Sequence, residues 1–419
     1  MSGAPSLFTS PEGEAARSLL SAAAVRERAH RMLAIGLADG LPHFRIELGR
    51  LGEATDLVLA VMRANYPSLQ VPFHSRWRHF VVNGEDRWAL LDAAAKWPDR
   101  AARARAACDL AIVSVLLDAG AGPDWRYRDA RTGASIGRSE GLAIASLDMF
   151  AAGAFSSRPG EPLRADAAAL QKLTRETLAN GFQISASNPL LGIDGRLDLL
   201  RRLGATVAAA SSIFGRADTP RPGGIFDHLA AKAQGGRLAA PDILAELLIH
   251  LGPIWPSRLT LGGVALGDCW RHPALKTGDA TDGLVPLHKL SQWLSYSLIE
   301  PLQSGGVEVV DIDGLTGLAE YRNGGLFVDT GVLVLRDPAD AALAHDVASP
   351  LIVEWRALTV ALLDRLAAMV RERLKLDAVS LPLAKVLEGG TWAAGRKVAR
   401  QRRQDGSPPI RVESDGTVF

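Results

Sequence analysis

The sequence predicts a mainly α-helical, two-lobed protein with a few short β-hairpins. Ala, Leu, Arg and Glu recur at helical spacing through most of the 419 residues, a pattern typical of amphipathic helices. Extended candidates are few and short, and strand and helix do not alternate regularly along the chain. A doubly wound parallel sheet is therefore not expected.

The helical elements are predicted from composition and spacing. They cover residues 15–35, 50–65, 86–119, 138–152, 165–180, 195–211, 239–251, 286–303 and 350–374. Arg138, Ser139 and Glu140 stand at the start of the fourth segment, where they could face a binding cleft but where we expect a capping role.

The predicted strands are bounded by Gly or Asp. Residues 125–127 and 135–136 flank the turn "DARTG", and further strands are expected at 306–310 ("GVEVV") and 326–335 ("LFVDTGVLVL").

Breaks in the pattern suggest how the chain is divided. The linker "SSRPGEP" at 156–162 and the break "RDPADAALAHD" at 336–346 are the strongest candidates. We expect a flexible tail at 1–14, a helical lobe at 15–158, a second lobe with the main site motifs at 159–340, C-terminal helices packing back on the core at 341–394, and a basic, polar tail at 395–419.

Composition limits the class of protein. With 47 Lys+Arg against 46 Asp+Glu, a protein that coats nucleic acid is not expected. Cys108 and Cys269 allow at most one disulfide, which favours a reducing, cytoplasmic location. No apolar run reaches the roughly 18 to 20 residues of a membrane span. The phosphate loop, the dinucleotide fingerprint and the GxSxG elbow are also missing from the sequence.

The segment "LHKLSQWLSYSLIE" predicts a helix with one polar face. At 3.6 residues per turn, Lys289, Gln292, Trp293 and Tyr296 share that face. It would form a substrate wall, with His288 and Lys289 adding to the positive helix end as an anion or phosphate site. The alternative is an ordinary solvated face with a Trp at its edge.

A second motif, "LTGLAEYRNGGLFVDTGVL", places Glu320, Tyr321 and Arg322 before two glycines and Asp329. A carboxylate beside an Arg, where Gly lets backbone approach closely, suits a general base or a group that stabilises a cationic transition state. The alternative is a surface turn with a local ion pair.

A third motif, "VPFHSRWRHF", contains His74, Arg76, Trp77 and His79. Guanidinium groups bind phosphate or carboxylate through two hydrogen bonds, and an indole offers a flat stacking face. The two His are five residues apart and do not share a helix face, so they alone do not predict a metal site. Asp268 and His272 in "GDCWRHP" leave a His/Asp metal centre open.

Together with "NPLLGIDGR", these strings resemble a uracil-catabolism family of fungi and bacteria, the fourth protein of the Urc pyrimidine-degradation pathway. The resemblance covers nearly the whole chain outside its ends. It implies a role in reductase-independent pyrimidine breakdown, in which uracil is converted to a ribonucleotide, its ring is opened and urea is released.

"HKLSQWL" and the Glu-Tyr-Arg motif are also similar to segments of the queuosine salvage proteins, nucleotide N-glycosidases with a helical, DNA-glycosylase-like fold. This similarity implies that Lys289 holds a 5′-phosphate and that Glu320 occupies the position of a catalytic aspartate. The Asp-to-Glu change lengthens the side chain by one methylene, so Asp329 and Asp268 are the next catalytic candidates.

We therefore expect hydrolysis of an N-glycosidic bond between ribose 5-phosphate and a leaving group such as urea, without a cofactor or metal. Glu320 would stabilise the transition state, and Lys289, His288 and Arg76 would hold the phosphate. Trp270, Trp77 or Tyr321 would pack on the leaving group.

Two alternatives remain open at this stage. One is an amide or ureide hydrolase in which His74, Asp268, His272 and His288 bind Zn or Mn. The other is a non-catalytic partner of the ring-opening enzyme. Duplex binding is not expected from the balanced charge, and the sequence allows a monomer or a homodimer.

Overall fold

The computed structural model describes residues 8–118, 120–215, 219–255 and 259–413. The first residues of the predicted N-terminal tail, the end of the 86–119 segment and the last six residues of the predicted C-terminal tail lie outside these ranges. Within the described ranges the prediction of a mainly α fold with short strand pairs is confirmed.

Helices lie on each of the predicted segments, of which 15–35, 86–119 and 165–180 are each divided into two, and the helices Ile225–Lys232 and Tyr321–Asp329 were not predicted. In chain order they are α1 (Pro11–Leu19), α2 (Ala22–Leu37), α3 (Leu51–Asn65), α4 (Arg87–Ala94), α5 (Arg100–Leu116), α6 (Arg138–Ala151), α7 (Ala167–Lys172), α8 (Arg175–Gly181), α9 (Ile193–Ala209), α10 (Ser211–Phe214), α11 (Ile225–Lys232), α12 (Ala240–Leu251), α13 (Lys289–Ser304), α14 (Tyr321–Asp329), α15 (Pro350–Leu374), α16 (Leu383–Val386) and α17 (Trp392–Arg402).

The strands are two or three residues long. They are β1 (Phe44–Ile46), β2 (Val81–Val82), β3 (Glu85–Asp86), β4 (Arg126–Arg128), β5 (Ser135–Gly137), β6 (Arg237–Ala239), β7 (Thr260–Leu261), β8 (Val264–Ala265), β9 (Cys269–Arg271), β10 (Leu284–Pro286), β11 (Glu308–Val310), β12 (Leu333–Leu335), β13 (Ala344–Asp346) and β14 (Arg411–Glu413).

These strands pair only two at a time among the described residues. The neighbours β2–β3, β4–β5, β7–β8 and β9–β10 form antiparallel hairpins, and β1 pairs antiparallel with β12. The pairs β6–β11 and β13–β14 are parallel and join distant parts of the chain. The short pairs therefore connect helices and do not form a sheet layer of their own.

Two long buried helices organise the core. Helix α15 starts where the Ser349 side chain accepts the Ile352 N–H and Pro350 occupies the first turn, and it packs against α2, α3 and α14. Helix α13 packs against α5 and α12. Both are buried around most of their circumference, as expected for central helices.

The predicted strand at 326–335 was wrong over its first half. Residues up to Asp329 belong to α14, and only Leu333–Leu335 is extended, paired with Phe44–Ile46. The helix is favoured because Gly324 lets it approach α15 closely: a Cβ there would lie 2.8 Å from the Trp355 indole. Tertiary packing thus overrides the local β propensity of "LFVDTGVLVL".

The described part of the expected C-terminal tail is ordered structure. Helices α16 and α17 are joined by a π-helical turn, Leu387–Thr391, and α17 packs along α14. Gly395 makes this packing possible, because a Cβ there would collide with the Arg322 carbonyl. After α17 the chain adds β14 and the fully buried Ile410.

Among the described helices, none combines the length and the apolar character needed to cross a bilayer.

Candidate functional site

Asp268 lies at the start of α13 and fixes that end of the helix. Its Oδ2 accepts the Lys289 N–H at 2.9 Å, and Arg356 donates to both carboxylate oxygens at 2.8 Å. Trp270 Nε1 donates to Oδ1 at 2.6 Å. Burial acts to raise the pKa of Asp268, but Arg356 and these donors lower it to about 2. The helix N-terminus is thus occupied by a protein carboxylate.

Lys289, the first residue of α13, has a half-buried side chain. Its ammonium makes no hydrogen bond or ion pair with a described residue, although the negative charges of Glu320 and Asp118 act on it. Burial lowers the pKa of Lys289, and these two carboxylates oppose the shift. A cation in this position is available to an anionic ligand.

Glu320 is the N-cap of α14. Its Oε1 accepts the Asn323 N–H at 2.6 Å and its Oε2 accepts the Arg322 N–H at 2.7 Å. Burial raises the pKa of Glu320, while the two backbone donors and Lys289 lower it. The two backbone hydrogen bonds hold the carboxylate in one orientation. Each oxygen has a second lone pair, so the carboxylate can still accept a hydrogen bond or stabilise a positive charge.

A hydrogen-bond network connects Arg76 to the start of α6. Arg76 Nη1 lies 3.2 Å from Asp118 Oδ1, and Ser139 Oγ donates to Asp118 Oδ2 at 2.7 Å. The same hydroxyl lies 3.0 Å from His79 Nδ1. Burial and the Arg76 charge lower the pKa of His79 to about 4. Asp118 thus forms an ion pair with Arg76, and its negative charge also acts to raise the pKa of Lys289.

Four aromatic rings form one cluster beside this network. The Trp293 ring centroid lies 6.4 Å from that of His74 and 5.7 Å from that of His79. Trp392 lies 6.3 Å from both imidazoles. Trp293 is four residues after Lys289 and therefore on the same face of α13. We use the name cleft for this group of charged and aromatic residues, each of which is buried or half-buried: Lys289, Trp293, Glu320, Asp118, Arg76, His79, His74 and Trp392.

The first turn of α6 contributes Ser139 to the network with Asp118 and His79. The N-cap residue is Gly137, which has no side chain to cap the helix, while the Glu140 carboxylate accepts its own backbone N–H in the first turn. Glu140 Oε1 also accepts a 3.0 Å hydrogen bond from Arg396 on α17. Arg138 has a φ of 58°, a backbone conformation that non-glycine residues rarely adopt and that often marks functional sites.

Several arginine side chains lie close together where α6, α14 and α17 meet. Burial lowers the pKa of Arg138, and the charges of Arg322, Arg396 and Arg400 lower it further. The Arg396 guanidinium lies 4.8 Å from the centre of the Trp392 ring. An open pocket of about 460 Å³ borders this region; it is lined by Trp392, Ala393, Arg396, Lys397, Arg400 and Gln401. Its charge suits an anionic ligand.

Several predicted binding residues have structural partners. Trp77 donates from Nε1 to the Ser297 carbonyl at 2.7 Å and packs against other core aromatics. Gln292 is fully buried and exchanges hydrogen bonds with Thr316. The polar face of α13 is therefore mostly buried, and the alternative of a solvated face was wrong. Trp270 is likewise buried against Asp268.

His288 is buried at the N-cap of α13 with a φ of 45°. Its Nε2 lies 3.0 Å from the Leu19 carbonyl oxygen, and burial lowers the pKa of the imidazole. A neutral ring bonded in this way adds no positive charge to the helix end, so of the two residues predicted to do so only Lys289 could.

Asp329 lies at the opposite end of α14 from Glu320. At 1.5 Å per residue, the nine positions between them span roughly 13 Å along the helix. Both Asp329 oxygens bind Arg403, at 2.8 and 2.6 Å. The structure therefore does not bring Asp329 to the cleft residues.

Tyr321 and Arg322 pack on each other, with the guanidinium 4.8 Å from the ring centre, and Arg322 Nη1 donates to the Gly406 carbonyl at 2.9 Å. Glu320 binds the Arg322 backbone N–H and not its guanidinium. The alternative of an exposed turn with a local ion pair was therefore wrong, since all three residues are largely buried.

The four proposed metal ligands contact four different partners. His74 Nδ1 lies 2.7 Å from Glu388 and Asp268 binds Arg356. His272 Nε2 lies 3.3 Å from Glu354, and His288 Nε2 lies 3.0 Å from the Leu19 carbonyl oxygen. Among the described residues, the metal-compatible group is a different one, His228, Glu246 and His250.

Sequence reasoning missed part of the cleft. Asp118 is a single acidic residue at the end of an apolar helix, which gives no signal by itself. Trp392 lies in the segment predicted as C-terminal helices at 341–394, and Arg396 lies in the segment predicted as a tail at 395–419. The i, i+4 spacing of Trp392 and Arg396 was the available signal, because it places an aromatic ring and a cation on one helix face.

The fold and cleft define a mainly α-helical protein with a partly buried, charged and aromatic site where buried helices begin. The family model described as "Protein of unknown function (DUF1688)" matches residues 18–419, and the chain belongs to this family. "Protein urg3" of Schizosaccharomyces pombe (strain 972 / ATCC 24843) is 42% identical over 417 residues, covering 97% of this chain and 99% of that protein. "Uracil catabolism protein 4" of Lachancea kluyveri is 37% identical over 411 residues, 90% of this chain and 92% of that protein. The resemblance to the uracil-catabolism family is thus confirmed.

Proposed function

We propose that this protein acts in uracil catabolism as a hydrolase that cleaves the N-glycosidic bond of a ribose 5-phosphate conjugate and releases urea or a base. The name of the Lachancea relative supports the pathway. The observation that carries the reaction is that the buried, rigid Glu320 carboxylate acts electrostatically on the Lys289 ammonium, which makes no hydrogen bond or ion pair with a described residue.

Glu320 would act on the sugar carbon. Cleavage of an N-glycosidic bond develops positive charge on the ribose ring, and a carboxylate already oriented by two backbone N–H groups stabilises that charge without reorganising. The same carboxylate would orient the attacking water. The carboxylate is the active form, since positive charge has to be offset in the transition state.

Lys289 would hold the phosphate. The charges of Glu320 and Asp118 oppose the lowering of the Lys289 pKa by burial, and the arginines between α6 and α17 extend the positive region. Binding energy at the phosphate, remote from the reacting bond, fixes the ribose relative to Glu320.

The leaving group would pack between Trp293 and Trp392. Both indoles contact His74 and His79, whereas the indoles of Trp77 and Trp270 are bound within the core. A planar ureide or pyrimidine presents a flat face that suits such rings. Tyr321, packed beside Glu320, would close the same side.

The test is a product assay with metal-stripped protein. Ribosylurea, uridine and their 5′-phosphates are incubated with the wild type, Glu320→Gln and Asp329→Asn, and released urea, uracil and ribose phosphate are quantified. We expect urea release from the phosphorylated compound that Glu320→Gln lowers by about a thousandfold, the upper range for one electrostatic group. Glu176→Gln, an exposed change on α8, is the matched control.

Other outcomes would contradict the proposal in different ways. Activity that returns only with added zinc or manganese, in protein that circular dichroism shows to be folded without them, would favour the metal-dependent hydrolase. Loss of activity in Asp329→Asn but not in Glu320→Gln would move the catalytic role to the other end of α14. Release under no condition would favour a partner of the ring-opening enzyme.

A further inference from the structure

We propose that His228, Glu246 and His250 form a binding site for a divalent transition-metal cation, zinc foremost. One ligand atom from each of the three side chains lies within 4.8 Å of the others. Two imidazoles and one carboxylate are the ligand set of many zinc sites with an open fourth position.

The two imidazole nitrogens face the same carboxylate oxygen. His228 Nε2 lies 2.5 Å and His250 Nε2 lies 3.1 Å from Glu246 Oε2. Tetrahedral zinc with bonds of about 2.0–2.1 Å separates its ligand atoms by roughly 3.3 Å. Small outward rotations of three side chains would therefore admit the ion, with no backbone movement required by these distances.

The local fold explains why these side chains meet. Glu246 and His250 are four residues apart on α12 and so share a face. His228 lies on α11, and only the short strand β6 separates α11 from α12 along the chain. The imidazole rings are 5.1 Å apart and nearly perpendicular, at 84°. All three side chains are only 10 to 14% exposed, which shields the site from bulk water.

A lysine shares the Glu246 carboxylate with the two imidazoles. Lys232 Nζ binds the other oxygen, Oε1, at 2.7 Å and leaves Oε2 to the two imidazoles. Because the Lys232 side chain is 45% exposed, it can turn to solvent when a metal ion binds.

This site is separate from the cleft. Its ligands come from α11 and α12, whereas the cleft is built by α6, α13, α14 and α17 and the segments before α4 and after α5. The proposal therefore does not depend on the glycosidase reaction. A metal ion here would join α11 to α12 and stabilise the folded state through its binding energy.

The experiment uses the full chain, stripped with a chelator and dialysed. Zinc binding is followed by calorimetry and metal content, and cobalt(II) absorption reports tetrahedral coordination. We expect one zinc per chain and a rise in the unfolding temperature on zinc addition. Glu246→Gln and His250→Ala should each weaken binding more than about tenfold and abolish the rise.

Two control variants separate coordination from other effects. Lys232→Met keeps all three ligands and removes a competing cation, so zinc should bind at least as tightly as in the wild type. His30→Ala removes another His–carboxylate contact, with Asp364, and should leave zinc binding unchanged. Equal zinc affinity in wild type, Glu246→Gln and His250→Ala, with all variants folded by circular dichroism, would overturn the proposal.

Discussion

Arg356 binds both carboxylate oxygens of Asp268 at 2.8 Å, although the two residues are 88 positions apart. The pair connects α15 to the hairpin that precedes α13, and Asp268 then binds the backbone N–H of Lys289. Asp268 is thus a positioning residue for Lys289, and its ion pair sets where the cleft lysine begins its helix.

Breaking this pair should lower the stability of the whole protein. Asp268→Asn leaves the buried Arg356 without its counter-charge, and we expect a loss of about 3–5 kcal/mol in the free energy of unfolding. Denaturant unfolding measures the loss. Asp194→Asn removes an exposed pair with Arg175 and should cost less than about 1 kcal/mol, so equal effects would contradict a buried, structural role for Asp268.

The pH dependence of turnover should report Glu320 and Lys289. Burial raises the pKa of Glu320 and lowers that of Lys289, so activity should rise with pH as Glu320 ionises and fall as Lys289 deprotonates. We expect the acid limb above about pH 4.3 and the alkaline limb below about pH 10.4, the ordinary values of these groups. Profiles of kcat/KM on the phosphorylated substrate measure both limbs.

The variant Lys289→Arg identifies the alkaline limb. A guanidinium stays protonated beyond about pH 12, so this variant should retain part of its activity while the alkaline limb moves upward. An alkaline limb at the same pH as in the wild type would show that another group controls it.

Trp392 should contribute to substrate affinity. Removing an aromatic ring from a stacked base costs about 1–3 kcal/mol, so Trp392→Ala should raise KM about tenfold with a smaller change in kcat. Steady-state kinetics checks this. Trp97→Ala is the matched control, because its indole binds Asp92 away from the cleft and should leave KM unchanged.

The approach of α17 to α14 should depend on Gly395. In Gly395→Ala the added methyl collides with the Arg322 carbonyl, and we expect a loss of about 1–3 kcal/mol of stability together with a raised KM. Gly52→Ala on α3 meets only the end of the Arg373 side chain, at 3.6 Å, and should be neutral or stabilising. Chemical denaturation of both variants makes the comparison. Similar stability of the two would show that α17 can move away from α14.

Most helical positions were predictable from the sequence because a spacing of 3.6 residues between apolar side chains is a local signal, which does not depend on distant parts of the chain. The hairpin around "DARTG" followed from turn residues in the same way, and β4 and β5 lie there. Lys289 and Glu320 were identified as cleft candidates by motif and resemblance. Their catalytic and binding roles stay predictions.

Tertiary structure decided what local signals could not. A glycine-rich segment with β propensity became α14 because Gly324 packs on Trp355, and a basic stretch became α17 because Gly395 admits the backbone of α14. Asp268 and Arg356 became an ion pair only through folding, and Trp392 reached His74 and His79 in the same way. The sequence by itself determined most of the helical segments, but not α14 and α17. Which charges and rings meet depends on long-range packing, because only folding brings distant side chains within interaction distance.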